Sequence, residues 1–305
     1  MRDEINISLA MIGKTMTAML CALLLASCNL SGKGNSTSAD STDSVKVVWA
    51  TFNIRLDTPA DSLNNWQYRR DSVCQYIKDK GIDIFGMQEV KHNQLVDILD
   101  RLPDYGYVGV GRDDGKEAGE YSPLFYRKDK FDVLDGNTFW LSQYPDSAGF
   151  IGWDGACPRI ASWAKFQDKG TGKVFMGVNT HFDHVGVVAR REAALLIIDR
   201  IKDIVGDKPA VVTGDFNVND QAEAYKTITE NEFVLKDAYK MTSNNVGPAY
   251  TFHNFGRQPL AERQKIDFIF VTPQITVQKT EIYQNPETKT GHLSDHNPHL
   301  AWLEF

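Results

Sequence analysis

Residues 291–305, GHLSDHNPHLAWLEF, place Asp295, His296 and His299 ahead of an apolar run rather than behind it. KIDFIFV, residues 265–271, has the same order, with Asp267 leading. Elsewhere the order is reversed. VVWATFNIR ends in Asn53 and Arg55, IDIFGMQE in Gln88 and Glu89, VFMGVNTHFDH in Asn179, His181 and Asp183, and VVTGDFN in Asp215 and Asn217. Polar groups that work together sit at one edge of a sheet. All six clusters share an edge only if the strands opened by Asp267 and by Asp295-His296 run antiparallel to the other four.

Further strand-length apolar runs, SPLFYR at 122–127 and SWAKFQD at 162–168, lie between them. Three helical patterns intervene: 66–81 stopping at Gly81, 91–105 stopping at Pro103, and 187–206 stopping at Gly206. Helices between some strands and strands in direct succession elsewhere predict an α/β domain with mixed strand directions. Runs apolar on both faces predict sheets covered on both sides.

The 305 residues carry a net charge of −7 and are 42% hydrophobic. That is enough apolar content for one large core, and the acidic balance argues against a partner such as long nucleic acid. Near the start, KTMTAMLCALLLASC has a lysine, a short apolar run and small residues before Cys28. This is the pattern of an export signal, and Leu25-Ala26-Ser27-Cys28 resembles a bacterial lipobox. The expected organisation is a lipoprotein signal peptide over 1–28 with Cys28 as the lipidated residue, a flexible tether over 29–44, and one domain over 45–305. The domain is expected to be exported, held to a bacterial membrane by its lipid, and monomeric. Cys74 and Cys157 remain in it, and their spacing does not decide whether they pair.

Each polar cluster also has an ordinary explanation. Glu89 suits the cap of the helix that follows, and Gly214-Asp215 suits a turn. Asp267 is harder to explain in that way. A carboxylate between Ile266 and Phe268 costs several kcal/mol if buried without a partner. A histidine is the usual partner where protons move.

In order and separation, TFNIR, QE, NTHFDH, GDFN, KIDFIF and SDHNP resemble the endonuclease/exonuclease/phosphatase superfamily of metal-dependent phosphoesterases, over essentially all of residues 45–305. The resemblance implies a four-layer α/β sandwich, with two mixed β-sheets face to face and helices outside. It implies that Glu89 is the principal Mg²⁺ ligand, with Asn53 beside it and Asp295 completing the set. Asp215 and Asn217 match the pair that orients and activates the attacking water. Asp267 matches the carboxylate that holds His296, and His181 matches the histidine that steadies the phosphate. An oxygen-rich set selects hard cations, Mg²⁺ or Mn²⁺.

Other residues are candidates for reading the substrate. Arg55 and Arg159 can clamp a phosphate, and Asn179 stands in the same motif as His181. Glu120 and Tyr121 lie in the Gly-rich loop DDGKEAGEY, and Trp153 offers a stacking face. His92, His184, His253, His292 and His299 fall outside the motif positions and are expected to be structural or solvated. The expected activity is Mg²⁺-dependent hydrolysis of a small or membrane-borne phosphoester, such as a nucleotide, a sugar or inositol phosphate, or a phospholipid head group. The alternatives are a secreted nuclease and a binding module without chemistry.

Overall fold

The last five residues of the first strand, β1 (Lys46–Asn53), are all buried, so both of its faces are covered. The computed structural model describes residues 44–233, 235–286 and 290–305. The leader expected over 1–28, Cys28 with it, and the tether up to residue 43 lie outside the described residues. Among the described residues, no helix is long and apolar enough to cross a membrane.

After β1 the chain forms α1 (Trp66–Asp79), β2 (Ile84–Gln88), α2 (His92–Arg101), β3 (Tyr105–Val108), β4 (Leu124–Arg127), β5 (Phe131–Trp140), β6 (Ile160–Asp168) and β7 (Val174–His181). It continues through α3 (Val187–Val205), β8 (Ala210–Asp215), α4 (Glu223–Thr229), β9 (Lys236–Asp237), α5 (Ala238–Met241), β10 (Asn245–Val246), β11 (Asp267–Val271), β12 (Thr276–Ile282) and β13 (His299–Glu304). One sheet has the order β10-β12-β13-β1-β2-β4-β3, the other β5-β6-β7-β8-β11-β9. Beyond the runs expected from the sequence, the structure adds β3, β5, β9, β10, β12 and two short helices, α4 and α5.

Three apolar layers hold the sandwich together. Trp49, Ile84, Phe166, Phe175, Val211 and Ile269 fill the space between the sheets, with the Trp49 ring edge-on to Phe166 and Phe175. Val73 and Ile77 of α1 and Leu95 and Ile98 of α2 cover the outer face of the first sheet against Phe52, Phe85 and Met87. Ile197 and Ile201 of α3 and Tyr225 of α4 cover the second sheet against Val178, Val212 and Phe268. The architecture is the expected four-layer α/β sandwich.

The strand directions are also as expected. β1 is parallel to β2, and β7 is parallel to β8, whereas β13 is antiparallel to β1 and β11 is antiparallel to β8. The register then brings the polar ends together: Asp267 and His181 both stand opposite Asp215, and Asn53 stands opposite Gln88.

Asn179 does not behave as a substrate-reading residue. It is fully buried, and its amide links the two sheets. Nδ2 donates to the carbonyl oxygens of Met87 (2.7 Å) and Pro123 (3.0 Å), while Oδ1 accepts from Gln88 Nε2 (2.6 Å) and Thr213 Oγ1 (3.3 Å). Both donors and both acceptor positions are used. Gly86 leaves room for this amide, since a Cβ there would stand 2.2 Å from Asn179 Oδ1. Its neighbour in the motif, His181, reaches the site instead. Asn179→Ala removes one hydrogen bond from each of four buried partners and is expected to cost about 3 kcal/mol in urea unfolding. A variant as stable as the wild type but catalytically impaired would restore the substrate-reading role.

Candidate active site

The ends of β1, β2, β7 and β8 and the starts of β11 and β13 converge on Asp215, which is 1% exposed. Asn53 Nδ2 donates to Glu89 Oε1 and to Asp215 Oδ2, both at 3.0 Å. Its amide oxygen accepts the Arg55 backbone N–H at 3.0 Å. Asn53, expected among the metal ligands, therefore turns its nitrogen rather than its oxygen towards the carboxylates, and it holds them as a donor. Glu89 does not cap α2. Its second oxygen accepts from the Leu56 backbone N–H at 3.0 Å, and the N-cap of α2 is Lys91. Arg55, Glu89 and Asn217 all have left-handed backbone angles (φ 58°, 61° and 51°). Such strain in non-glycine residues concentrates where function needs a set geometry.

His296 Nδ1 and Asp267 Oδ2 lie 2.8 Å apart, and His296 Nε2 is 3.7 Å from Asp215 Oδ2. Thr251 Oγ1 accepts the Asp267 backbone N–H at 3.1 Å, and the Phe252 ring lies 4.9 Å from the imidazole. Burial disfavours the imidazolium, but the charge and hydrogen bond of Asp267, with Asp215 behind it, outweigh burial and lift His296 to about 10. Asp215 moves the other way from an ordinary carboxylate. Burial, reinforced by Asp267, raises it against the pull of His296 and the bonds from Asn53 and Asn217.

On the far side of Asp215, His181 Nε2 lies 3.5 Å from Asp215 Oδ2 and 3.0 Å from Asn217 Nδ2. Asn217 is itself fixed: Nδ2 donates to the Phe182 carbonyl at 2.9 Å, and its backbone N–H donates to Asp215 Oδ1 at 2.9 Å. Burial, together with the positive charges of Arg159 and Arg112, holds His181 neutral, well below the usual histidine range. Arg159 is buried; Nη2 donates to His184 Nδ1 at 3.0 Å, and Nε is 3.5 Å from Asp183 Oδ2. Burial works against the Asp183 carboxylate, but the N–H groups of Gly186, Val185 and Ala156 and the charge of Arg159 hold it down at about 2.

Glu89 and Asp295 offer the oxygens a hard cation requires. Burial raises Asp295, and the charge of Glu89 adds to the effect, despite His296 and Arg55. Two carboxylates in one pocket favour a cation between them. The Arg55 guanidinium already responds to that field, at 3.8 Å from Glu89 Oε2 and 4.0 Å from Asp295 Oδ2, while it hydrogen-bonds Asp61 at 3.0 and 3.2 Å. Glu89 and Asp295 together fit a divalent metal. Ligand atoms of Asp215, Asp267 and His296 also lie within 4.8 Å of one another, but Asp267 and His296 are committed to each other. Cys157, Asp183 and His184 form another such group. There the Asp183 oxygens already accept backbone N–H groups, and Arg159 supplies the positive charge.

These side chains line a cavity of about 490 Å³. Of the expected site residues, Arg55, Glu89, Arg159, His181, Asp215, Asn217, Asp295 and His296 face it, with Asp267 directly behind His296 and Asn53 beneath the carboxylates. Trp153 and Tyr121 are not among its lining residues, whereas Glu120 is. Sequence reasoning missed Arg112, Phe252, Asn254 and Arg257 and left His184 as structural or solvated. His184 directly follows Asp183, and Arg112 precedes the Gly-rich loop, but neither position carried a signal by residue type. Cys74 and Cys157 are both free.

The sequence profile described as the Endonuclease/Exonuclease/phosphatase family matches residues 50–296. The fold also matches solved structures. One is an endonuclease/exonuclease/phosphatase from Bacteroides vulgatus, 64% identical, covering 86% of this chain and 99% of that one, with a TM-score of 0.84. Another is a mannosyl-6-phosphatase from Bacteroides thetaiotaomicron, 38% identical, covering 85% of this chain and all (100%) of the other, with a TM-score of 0.79. An uncharacterised protein of Acanthamoeba polyphaga mimivirus is 28% identical over 225 residues, which is 70% of this chain and 82% of the viral one.

The raised His296 gives a signed expectation for stability. A histidine whose folded value exceeds its unfolded one of about 6.5 contributes stability that is complete below that pH and is lost as the pH climbs through the folded value near 10. In metal-free protein, Asp267→Asn is expected to cost about 3–5 kcal/mol near pH 6. The gap from wild type should narrow as the pH approaches 10 in parallel denaturant titrations. A gap independent of pH would show that the pair holds no charge.

Proposed function

We propose, from the premise that this chain belongs to the endonuclease/exonuclease/phosphatase family of hydrolases, that it is a Mg²⁺- or Mn²⁺-dependent phosphatase of small phosphomonoesters, sugar phosphates foremost. One arrangement carries this reading. The Asp267-His296 pair and the Asn217-His181 pair flank Asp215 in a cavity whose walls hold Arg55, Arg112, Arg159 and Arg257. At about 490 Å³ the cavity suits a ligand the size of a phosphorylated sugar. Similarity to the mannosyl-6-phosphatase supports the same substrate class. The net charge of −7 weighs against the nuclease alternative, which requires a basic groove.

The residues divide the chemistry among them. Asp215, raised by burial towards neutrality, is a base of matched strength for the proton of the attacking water, and Asn53 and Asn217 hold its two oxygens in place. His296, kept protonated by Asp267, places positive charge where negative charge grows on the phosphoryl oxygens. His181 starts neutral, and a phosphate dianion reverses the balance of charge that keeps it so. Arg159, buried and aligned by Asp183 and His184, adds a guanidinium to the phosphate wall. A divalent ion on Glu89 and Asp295 supplies Lewis-acid polarisation and a more acidic water. The leader-like segment ending in Cys28 supports an exported enzyme held to a membrane by lipid.

A panel of hexose phosphates, p-nitrophenyl phosphate, bis-p-nitrophenyl phosphate and single-stranded nucleic acid tests the assignment. Monoesters are expected to be hydrolysed best, EDTA to abolish turnover, and His296→Ala to lower kcat by about 10²–10⁴-fold. Preferential cleavage of the diester or of nucleic acid, with steep salt dependence, would replace it with the nuclease.

A further inference from the structure

The cavity wall includes a carboxylate that phosphate chemistry does not require. Glu120 faces the cavity, yet a carboxylate is a poor neighbour for a phosphate, since like charges at close range repel. Its position is enforced. Arg112 grips it with two parallel bonds, Nη1 to Oε2 at 2.9 Å and Nη2 to Oε1 at 2.8 Å, and the two side chains are 15% and 16% exposed. The supporting loop is braced. Gly111 N–H donates to Lys116 O (2.9 Å), Asp113 N–H to Ala118 O (3.1 Å) and Arg112 N–H to Glu120 O (3.1 Å). Tyr121 N–H ties the loop to Val90 O at 2.7 Å, next to Glu89. Gly119 sits at φ 81°, a backbone region that residues with a Cβ rarely adopt.

The chemistry of the pair defines what it can receive. Each Glu120 oxygen gives one acceptor position to Arg112 and keeps another, so the carboxylate presents two acceptors and no donor. Its charge is offset by the guanidinium, so a neutral donor approaches without a net field opposing it. Adjacent hydroxyl groups match such a pair. A second phosphate would meet a carboxylate, and an acyl chain would desolvate its two free acceptor positions without filling them. Arg112 and Glu120 also line a neighbouring cleft of about 440 Å³, which places them on the wall shared by the cavity and that cleft.

We propose that Glu120, oriented by Arg112, is the specificity-determining residue that binds the hydroxyl groups of the leaving sugar, so that the substrates are phosphomonoesters of neutral polyols carrying a single phosphate. This rests on the phosphatase function above and assigns its substrate class to a residue.

The test pairs two esters in the full-length protein with Mg²⁺. Hexose 6-phosphate carries the hydroxyls, and p-nitrophenyl phosphate has the same phosphate with none. Hydrogen bonds to a charged group are worth about 1.5–3 kcal/mol, so Glu120→Gln and Glu120→Ala should lower kcat/KM for the hexose phosphate by roughly 10–150-fold. Activity on p-nitrophenyl phosphate should stay within about twofold, which a loop that had merely lost its fold would not permit. Deoxy analogues of the hexose phosphate should be poorer substrates for wild type and no poorer than the parent sugar for Glu120→Ala. Equal losses on both esters, or no loss on either, would overturn the assignment. A wild type that turns over p-nitrophenyl phosphate but prefers no hexose phosphate would overturn the substrate class alone. Inactivity on both esters would overturn the phosphatase function itself, and this inference with it.

Discussion

One amide holds the site together. Asn53 ends a strand of the first sheet, and its nitrogen bonds at 3.0 Å to Glu89 from that sheet and at 3.0 Å to Asp215 from the second. Two carboxylates drawn this close in a buried pocket repel each other, and only donors between them and cations around them make the arrangement tolerable. The neighbouring groups act as one response to that constraint. Arg55 leans on Glu89 and Asp295, His296 takes up charge beside Asp215 and Asp267, and Asn217 reaches back to Asp215 with its own backbone. A site for a divalent ion is the natural completion of such a set.

The scaffold makes the constraint affordable by placing rigid elements under every participant. Asn179 stitches the sheets one step below the carboxylates, so the strand ends keep their register, and Trp49 with Phe166 and Phe175 fills the interior beneath. At the site, left-handed backbone falls on Arg55, Glu89 and Asn217, which stand just past their strand ends, where the backbone must turn sharply to aim a side chain. The charge pattern is asymmetric as a result. His296 is driven towards the imidazolium by Asp267, while His181, facing Arg159 and Arg112, is driven towards neutrality. Two histidines of the same type thus enter the chemistry in different protonation states.

Much of this was legible in the sequence because it lay in the order of residues along strands. Asp267 before FIFV and Asp295-His296 before LAWLEF, set against four runs that end in polar groups, fixed the strand directions and with them the shared edge. Other elements were hidden for physical reasons. β5 has three exposed residues without an apolar side chain, Asp135, Gly136 and Asn137, in the middle of its span, and β12 mixes Gln278, Lys279 and Glu281 with its apolar positions, so neither reads as a continuous buried run. Asn179 was misassigned because a motif position says that a polar residue is needed, not which way it faces; burial between two sheets turned it into a brace. Arg112 carried no signal, since its role comes from a loop that folds back to pair it with Glu120, eight residues on.

The central claim is that the carboxylates at these strand ends form a cation site that belongs to the folded protein. Thermal unfolding across a Mn²⁺ titration, run on wild type and Glu89→Gln, tests it most directly. An ion bound only to the native state raises the melting temperature progressively with concentration. Wild type is expected to show that rise and Glu89→Gln to lose nearly all of it, while the two melt alike in EDTA to within a few degrees. The same rise in both proteins, or none in wild type, would contradict the account.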